Sequence, residues 1–382
     1  ATVIAWIWAR TVKCPNPACG CEMPLVRSFV LSKKAGKESY IDPIFTDGRF
    51  VYTVKQGKGK EGGTVVRTGA HCAACASAVS FEYIREEGQT HRIGAQLMAV
   101  VAEGPNGRLY ISPDVEQVNT ANVHEPDGAP ISDLPKKALS FRVQVYGMKQ
   151  HKDLFTNRQL TALTTFSSLV QEAQQKAEAD AIAAGRGNDH LPLAEGGVGA
   201  KAYGEAVGVY LAMLVDQLSN LQPSVCRWES TNTQMHGTYA RQAIAMVWDY
   251  AESNPFCESS GSFYNLSERQ VKGINGLAPY SDGEARQFDA QSDNGMRNIM
   301  VSTDPPYYDN IGYADLSDYF YVWMRQALHD TYPKLFKTML VPKAEELVAT
   351  PYRFGGSIEK AQNFFEDGMY KTCCQIYEYA RE

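Results

Sequence analysis

Two clusters of cysteines about fifty residues apart constrain the fold of this 382-residue chain more than any other feature. Close cysteine pairs turn the backbone so that two thiolates face one ion, and four thiolates complete the tetrahedron that zinc prefers. We therefore predict a zinc ribbon, with strands between the two pairs and with four ligands: Cys14, Cys19, Cys72 and Cys75. Because four protein ligands leave no open coordination position, the predicted role of the zinc is structural.

Two neighbouring side chains are alternative ligands, since Cys21 and His71 lie close enough in sequence to replace an assigned cysteine. A disulfide or a set of free buried thiols is the other interpretation of the clusters. The apolar start of the chain, residues 1–9, lacks a basic segment, so we interpret it as a helix rather than a signal peptide. This predicts a cytoplasmic protein with reduced cysteines. The remaining cysteines lack ligand spacing and are interpreted as buried or incidental thiols: Cys226, Cys257, Cys373 and Cys374.

The charge is distributed unevenly along the chain. Residues 1–110 contain 14 Lys and Arg against 9 Asp and Glu, a net charge of +5, whereas the whole chain has a net charge of -6. A basic first part on an acidic body is typical of a module that faces phosphates. Lys55, Lys58 and Lys60, on a predicted hairpin tip, are candidate phosphate contacts, and a solvated loop is the alternative. No apolar stretch approaches the roughly 20 residues of a membrane helix, so we expect no membrane partner.

Hydrophobic periodicity predicts an order of elements along the chain. Alternating segments predict strands at residues 25–31, 49–54, 64–67, 78–84, 96–102 and 108–111. Residues 113–140 read as a long connection. A spacing of three to four residues between apolar positions predicts helices at residues 157–185, 200–221, 234–253 and 313–325. The glycine-rich segment 195–200 does not follow a strand, so we interpret it as a flexible start of the next helix and not as a cofactor loop.

The tetrapeptide Asp304-Pro305-Pro306-Tyr307 carries the clearest chemical signal. It follows an apolar run, residues 298–302, which we predict to be a buried parallel strand, and ligands bind at the carboxyl ends of such strands. The Asp304 carboxylate and the Pro305 carbonyl would accept hydrogen bonds from an exocyclic amine, and prolines hold that carbonyl outward. Tyr307 would stack on a base rotated out of its helix. An ordinary turn after a strand is the alternative.

A second acidic residue completes the predicted pocket. Asp289 ends a short strand-like segment, and in methyltransferase sheets an acidic residue at such a position often contacts the adenine of S-adenosylmethionine, with Asp304 beside it. A plain turn is the alternative for Asp289. Four further side chains are candidates for the pocket lining: Tyr308, Asp309, Asn310 and Tyr313. For the lone histidines His190 and His236 we expect a surface or packing role.

Four segments together resemble the zinc-ribbon adenine-specific DNA methylases that carry a DUF1156 domain: residues 11–20, 154–160, 241–249 and 303–323. The resemblance implies methyl transfer from S-adenosylmethionine to adenine N6 in DNA, with Asp304-Pro305-Pro306-Tyr307 as the amine-binding motif. It also implies an α/β fold: part of a class I, Rossmann-like methyltransferase sheet with an inserted zinc-ribbon β module and a helical insertion. Restriction or phage-defence proteins are further possible partners.

We expect three regions on this basis: an N-terminal helix plus the zinc-ribbon module in residues 1–112, a linker and helical insertion in 113–256, and part of the methyltransferase core in 257–382. In this family a glycine-rich cofactor turn precedes the zinc ribbon, and residues 1–382 contain no such turn, so we expect a fragment that is inactive by itself. Two alternatives stay open. One is methylation of cytosine N4 or of an RNA base, and the other is a zinc-dependent nucleic-acid-binding protein with an inactive methylase half.

Overall fold

The computed structural model describes residues 1–59, 61–136, 141–239, 242–277, 283–309 and 311–380. Two candidate residues of the sequence analysis, Lys60 and Asn310, lie outside the described residues, as does Arg241, the first residue of segment 241–249. The roles predicted for Lys60 and Asn310 therefore stay predictions.

The described residues form thirteen strands. They are β1 (Val3–Lys13), β2 (Glu22–Leu25), β3 (Val30–Ser32), β4 (Ser39–Thr46), β5 (Arg49–Gln56), β6 (Val65–Val66), β7 (Gly69–His71), β8 (Ala78–Ser80), β9 (Gly94–Gly104), β10 (Gly107–Ile111), β11 (Arg227–Glu229), β12 (Gln234–His236) and β13 (Asp249–Ser253). The same ranges contain seven α-helices. They are α1 (Phe81–Gln89), α2 (Val115–Thr120), α3 (Asn157–Ala183), α4 (Ala200–Ser219), α5 (Phe263–Asn275), α6 (Tyr313–Leu328) and α7 (Ile358–Tyr379).

A curled, five-stranded antiparallel sheet forms the centre of the mixed α/β structure. Its strands run in the order β10-β9-β1-β13, and β2 pairs with the last residues of β1. Three smaller antiparallel sheets contain β3-β4-β5, β6-β7-β8 and β11-β12. Because β13 lies in the predicted helical insertion yet pairs with β1, regions 1–112 and 113–256 share one sheet.

The helix predicted for residues 1–9 is wrong, because Val3–Lys13 is the central strand of this sheet. Trp6 and Trp8 are paired with β9 on one side and with β13 on the other. A short apolar run that is buried on both faces has no period that separates a strand from a helix. The abundance of β-branched and aromatic side chains favours the strand.

Two other predicted elements are also wrong. The described residues of segment 234–253 contain β12 and β13 and no helix, and α1 takes the second half of the strand predicted for residues 78–84. Ser80 caps α1, since its hydroxyl accepts from the backbone N–H of Tyr83, and this cap ends the strand. The glycine- and lysine-rich segment after β5 is not a hairpin tip, because β5 pairs with β4 and the segment leads on to β6.

The described residues contain no parallel sheet of the Rossmann type. The apolar run 298–302 makes a single parallel bridge, between Ile299 and Ala380, and is otherwise irregular. Asn298 has a φ of 59°, which interrupts the extended backbone. Met300 is 95% exposed, so the burial that would favour a strand here is absent. The predicted strand at this position is therefore wrong.

The predicted positions of helices α3, α4 and α6 are confirmed. These helices enclose a hydrophobic core that is distinct from the core around the central sheet. Thr156 and Gln159 make a reciprocal capping box at the start of α3, which fixes where this helix begins. Tyr319 and Trp323 of α6 are almost fully buried in the core between the helices. The Tyr319 hydroxyl donates to the Ser219 carbonyl at 2.7 Å, so its one polar atom is satisfied at the end of α4.

Candidate functional site

The first cysteine cluster lies on the loop between β1 and β2. Cys14 follows β1 directly, and its backbone N–H donates to the carbonyl of Cys21 at 2.8 Å. The carbonyl of Asn16 accepts from the N–H groups of Cys19 and Gly20, each at 2.9 Å. Gly20 has a φ of 54°, a left-handed conformation that glycine adopts without strain. The loop therefore turns both thiols of the pair to one side.

The second cluster lies on the loop between β7 and β8 and has the same kind of turn. The N–H of Cys72 donates to the Ser77 carbonyl at 2.9 Å, and the N–H of Ala76 donates to the Cys72 carbonyl at 2.8 Å. Ala76, directly after Cys75, has a φ of 61°. The Asn16 side-chain amide donates to the Ser77 hydroxyl at 3.1 Å, which joins the two loops.

Four sulfur atoms meet between these loops. The Sγ atoms of Cys14, Cys19, Cys72 and Cys75 all lie within 4.8 Å of one another. Cys14 and Cys75 are 3.7 Å apart, and Cys19 and Cys72 are 3.9 Å apart. Zn–S bonds of about 2.3 Å give tetrahedral edges of roughly 3.8 Å. The four cysteines could hold a metal ion such as zinc.

The alternative ligands lie at the edge of this group. Cys21 is buried, and its Sγ lies 3.5 Å from that of Cys19 and 3.6 Å from that of Cys72. It is not a member of the group of four. His71 is the last residue of β7, is exposed, and is not in the group either.

Burial and hydrogen bonding separate the thiols by pKa. Burial raises the pKa of Cys14 to about 12 and also raises the pKa of Cys21. Hydrogen bonds from the side chain and backbone of Ser77 lower the pKa of the exposed Cys75 to about 6. Metal binding requires thiolates and therefore releases protons. A metal ion would displace the proton from Cys75 readily. At Cys14 it would have to overcome the effect of burial, which favours the protonated thiol.

The tetrapeptide lies on a separate cavity of about 970 Å³ that opens to solvent. Its walls come from residues 287–291, from the first three residues of the tetrapeptide, from the first turns of α6 and from residues 341–342 and 345–347. Asp289, Asp304, Pro305 and Pro306 all line it, so the structure brings the predicted cofactor carboxylate and most of the tetrapeptide to one cavity. Tyr307 lies outside the lining, half exposed, with its ring centroid 6.4 Å from that of Tyr313.

The other predicted pocket residues divide into two groups. Tyr313 lines the cavity. Tyr308 packs against Phe365 with the ring centroids 5.0 Å apart, and Asp309 is not among the lining residues. Asp289 forms a turn, since its carboxylate accepts from the Gln291 N–H at 2.9 Å, and the same side chain faces the cavity. The turn that was the alternative for Asp289 is therefore present, and contact with the adenine of S-adenosylmethionine stays a prediction. Residues 285–290 are irregular and do not form the predicted strand-like segment.

Asp304 changes the pKa of the neighbouring Tyr307 phenol. It raises the pKa of Tyr307, through its charge first and through a hydrogen bond second. Among the described residues no backbone N–H donates to the Pro305 carbonyl, whereas the Pro306 carbonyl accepts from Tyr308 at 3.1 Å. The Asp304 carboxylate and the Pro305 carbonyl are thus two adjacent acceptors at the cavity wall.

A buried ion network, which the sequence analysis missed, supports this wall. The Arg353 guanidinium lies 2.8 Å from Asp315 and 2.7 Å from Glu346. Burial alone would lower the pKa of Arg353, but these carboxylates outweigh burial and raise it. Glu346 also accepts from the Ala314 N–H at 3.0 Å, at the start of α6. No short motif marks these residues, because Asp315 lies more than thirty positions before Glu346 and Arg353 in the chain.

A second ion pair anchors the same segment. Lys343 lies 2.7 Å from Asp318, whose other carboxylate oxygen accepts from the Val341 N–H at 2.9 Å. Burial raises the pKa of Asp318, and Lys343 opposes that shift. Segment 341–347 is therefore fixed to α6 at both ends, which fixes the shape of the cavity.

The predicted phosphate contacts differ from one another. Lys55 is ion-paired with Asp42, which raises the pKa of the amine. Lys58 is exposed on the loop after β5, beside Lys33 and Glu61. Of the described lysines on this loop, Lys58 is thus the better candidate for a phosphate contact.

None of the helices in the described part of the chain combines the length and the apolar character that crossing a bilayer requires. No protein-family model, curated protein or solved structure matches this chain.

Proposed function

We propose that this chain carries the amine-binding part of an S-adenosylmethionine-dependent methyltransferase that acts on adenine N6 in DNA. The observation that carries the proposal is the cavity lined by Asp289 together with Asp304, Pro305 and Pro306. These residues are fifteen positions apart and were assigned to one pocket from sequence alone. Their presence on one cavity supports a shared ligand.

The charge of the cavity is compatible with a cationic ligand. Four carboxylates line it: Asp289, Asp304, Glu345 and Glu346. Of these, Glu346 is paired with Arg353. An acidic cavity attracts the sulfonium and ammonium groups of S-adenosylmethionine and repels phosphates. Its volume of about 970 Å³ lies at the upper end of the roughly 300–1,000 Å³ that is usual for small-molecule sites.

The chain's own residues would bind and orient the acceptor amine. S-adenosylmethionine supplies the methyl group, which moves from sulfur to nitrogen. Asp304 and the Pro305 carbonyl accept the two amine N–H groups and turn the nitrogen lone pair toward the methyl group. As the N–C bond forms, one amine proton leaves to Asp304 or to water. Positioning and fixed acceptors of this kind supply most of the rate in such a transfer.

Acidic walls require that only the base enters the cavity while the DNA backbone stays outside. We propose that the zinc module, with its net charge of +5 in residues 1–110, contacts that backbone. Its four cysteines would bind one structural Zn²⁺. Changing Lys58 to Ala should then lower the slope of log affinity against log salt concentration by about one. An unchanged slope would count against backbone contact at this loop.

Transfer of tritiated methyl groups from S-adenosylmethionine to DNA by the full-length gene product tests the proposal. Asp304→Ala should reduce kcat by about 10²–10³-fold, the usual effect of removing one fixed hydrogen-bonding group from a transition state. Asp309→Asn is the matched control, because Asp309 lies in the same loop but outside the cavity lining. Equal activity of Asp304→Ala and wild type would refute the assignment. Mass analysis of the methylated nucleosides separates adenine N6 from cytosine N4 and DNA from RNA.

One observation favours a second candidate, a zinc-dependent nucleic-acid-binding protein with an inactive methylase half. The cysteine group has tetrahedral spacing, whereas the tetrapeptide lies in irregular backbone and not at the end of a strand. Calorimetry with S-adenosylmethionine discriminates between the candidates. Nucleic-acid binding without cofactor binding would support the binding protein.

A further inference from the structure

A second cavity, of about 430 Å³, lies on the central sheet far along the chain from the tetrapeptide. Trp6 and Trp8 of β1 are paired directly with Glu252 and Tyr250 of β13, so these four side chains share one face of the sheet. Helix α2 and the first turn of α3 cover that face with Gln117 and Arg158 among the lining residues. Neither the proposed transfer nor the metal group uses this cavity.

Rigid contacts hold the cavity wall in place. Arg158 donates to both oxygens of Glu252, at 2.8 and 2.7 Å, and lies over the Trp8 ring at 4.7 Å from its centroid. The other neighbour of Trp8 is Tyr250, stacked at 6.4 Å with an interplanar angle of 8°. Glu252 and Trp8 are only 5% and 6% exposed. The site is therefore formed before any ligand binds.

Two residues that line this cavity each have a buried polar side-chain atom without a partner among the described residues. These atoms are the Trp8 indole nitrogen, which is a donor, and the Gln117 side-chain oxygen, which is an acceptor. Leaving a buried donor or acceptor unpaired is costly, so a ligand that supplies one acceptor and one donor gains from both. A purely apolar ligand would leave both groups unpaired.

The charges and the shape of the cavity limit the chemical class of the ligand further. Arg158 is neutralised by Glu252, and the remaining charges of the lining are the carboxylates of Asp114 and Glu116, so an anion is disfavoured. Trp6 is partly exposed and offers a flat ring for stacking. The Trp8 ring already has Arg158 and Tyr250 as neighbours, and its N–H is the group that still lacks a partner.

We infer that this cavity binds the purine base of a nucleoside. The base would stack on Trp6, accept a hydrogen bond from the Trp8 indole and donate one to Gln117. The inference is independent of the proposed methyl transfer. The base could belong to a free nucleoside or to a nucleic-acid strand, and the acidic rim favours the free nucleoside.

Titration of the indole resonances in isotope-labelled protein tests the inference at one atom. The chain has five tryptophans, and Trp8→Phe identifies the Trp8 resonance while preserving a ring at that position. Adenosine should shift this resonance, in the wild type and equally in Asp304→Ala, which excludes an effect from the other cavity. AMP and a short oligodeoxyadenylate are the comparison probes: tighter binding of the oligomer than of adenosine would assign the base to a strand.

Calorimetry with adenosine then assigns the contacts. Trp6→Ala should weaken binding by about tenfold or more, as expected for loss of a stacking surface. Trp8→Phe should weaken it by about two- to tenfold, as expected for loss of one hydrogen bond. Val118→Ala, on the same helix but outside the lining, should leave the affinity unchanged. Absence of any adenosine-induced shift of the Trp8 resonance, or an equal shift with tetramethylammonium ion, would overturn the inference.

Discussion

Replacing Cys72 with Ser is expected to abolish metal binding and to unfold the small sheet β6-β7-β8. Cys72 is fully buried, its Sγ belongs to the group of four, and its backbone begins the second loop. A serine hydroxyl is a poor zinc ligand compared with a thiolate, so three sulfurs remain and the closed tetrahedron is lost.

The size of the effect follows from how little else holds this sheet. Ordering the sixteen residues from 65 to 80 costs roughly 16–32 kcal/mol of backbone entropy. The sheet has five paired positions, and its buried side chains are Ala70, Cys72 and Val79. Together these contribute roughly 10 kcal/mol. The shortfall of roughly 6–22 kcal/mol brackets the roughly 10–16 kcal/mol that a structural zinc supplies in small domains.

Metal analysis and amide hydrogen exchange measure the two consequences. The wild type should contain one zinc per chain, and Cys72→Ser should contain almost none and lose exchange protection in residues 65–80. The central sheet should keep its protection, because most of the buried residues in its apolar core lie outside residues 65–80. Cys226→Ser is the matched control, since Cys226 is equally buried but does not belong to the group of four.

Three results would refute this reasoning. They are wild-type protein without zinc, zinc retained by Cys72→Ser, and protection in residues 65–80 that survives metal loss. The alternative ligand is tested in the same way, because Cys21→Ser should keep its zinc and Cys14→Ser should not. The reverse outcome would move the fourth ligand from Cys14 to Cys21.

Two further predictions concern the helical part. Arg353→Ala should lower the free energy of unfolding by about 3–5 kcal/mol, because it leaves the buried Asp315 without its cationic partner. The control Arg297→Ala removes an exposed ion pair and should cost about 0–1 kcal/mol. Equal losses for the two variants in urea unfolding would contradict the burial argument. Burial raises the pKa of Asp216 to about 7, above the ~3.9 of an unfolded aspartate. The folded state therefore favours the protonated side chain. The contribution of Asp216 to the free energy of unfolding is present below about pH 4 and is lost as the pH rises to about 7. Melting temperatures measured between about pH 4 and pH 7 should fall less steeply for Asp216→Asn than for the wild type. The control Asp180→Asn, on the exposed surface of α3, should not change the slope. Parallel curves for Asp216→Asn and wild type would exclude a role of Asp216 in the pH dependence.

Local signals predicted the parts of the structure that local interactions determine. The capping box at Thr156 and the apolar spacing of α3, α4 and α6 fix those helices within a few residues of their predicted bounds. The cysteine spacing predicts the group of four because each pair closes its own turn. In each case the residues that decide the structure are close together in the sequence.

Elements that depend on distant partners were predicted badly. The segments Val3–Lys13 and Asp249–Ser253 become strands because β1 and β13 pair with each other, and neither segment alone reveals the other. The run 298–302 has a strand-like composition, but Met300 is exposed and only Ile299 is paired. The cavity that contains Trp8 could not be found from sequence either, since its lining comes from four separate segments between Trp6 and Glu252.

The register of β1 and β13 has a consequence for how the chain is made. Ala5 pairs with Ser253, so almost 250 further residues must be synthesised before β13 can cover its edge of β1. Contacts between such distant positions form slowly. During synthesis, strand β1 with its two tryptophans would present an unpaired, apolar edge, which is a site for association between chains. A co-translational chaperone, or early closure by β9 on the opposite side, would limit that hazard until β13 emerges.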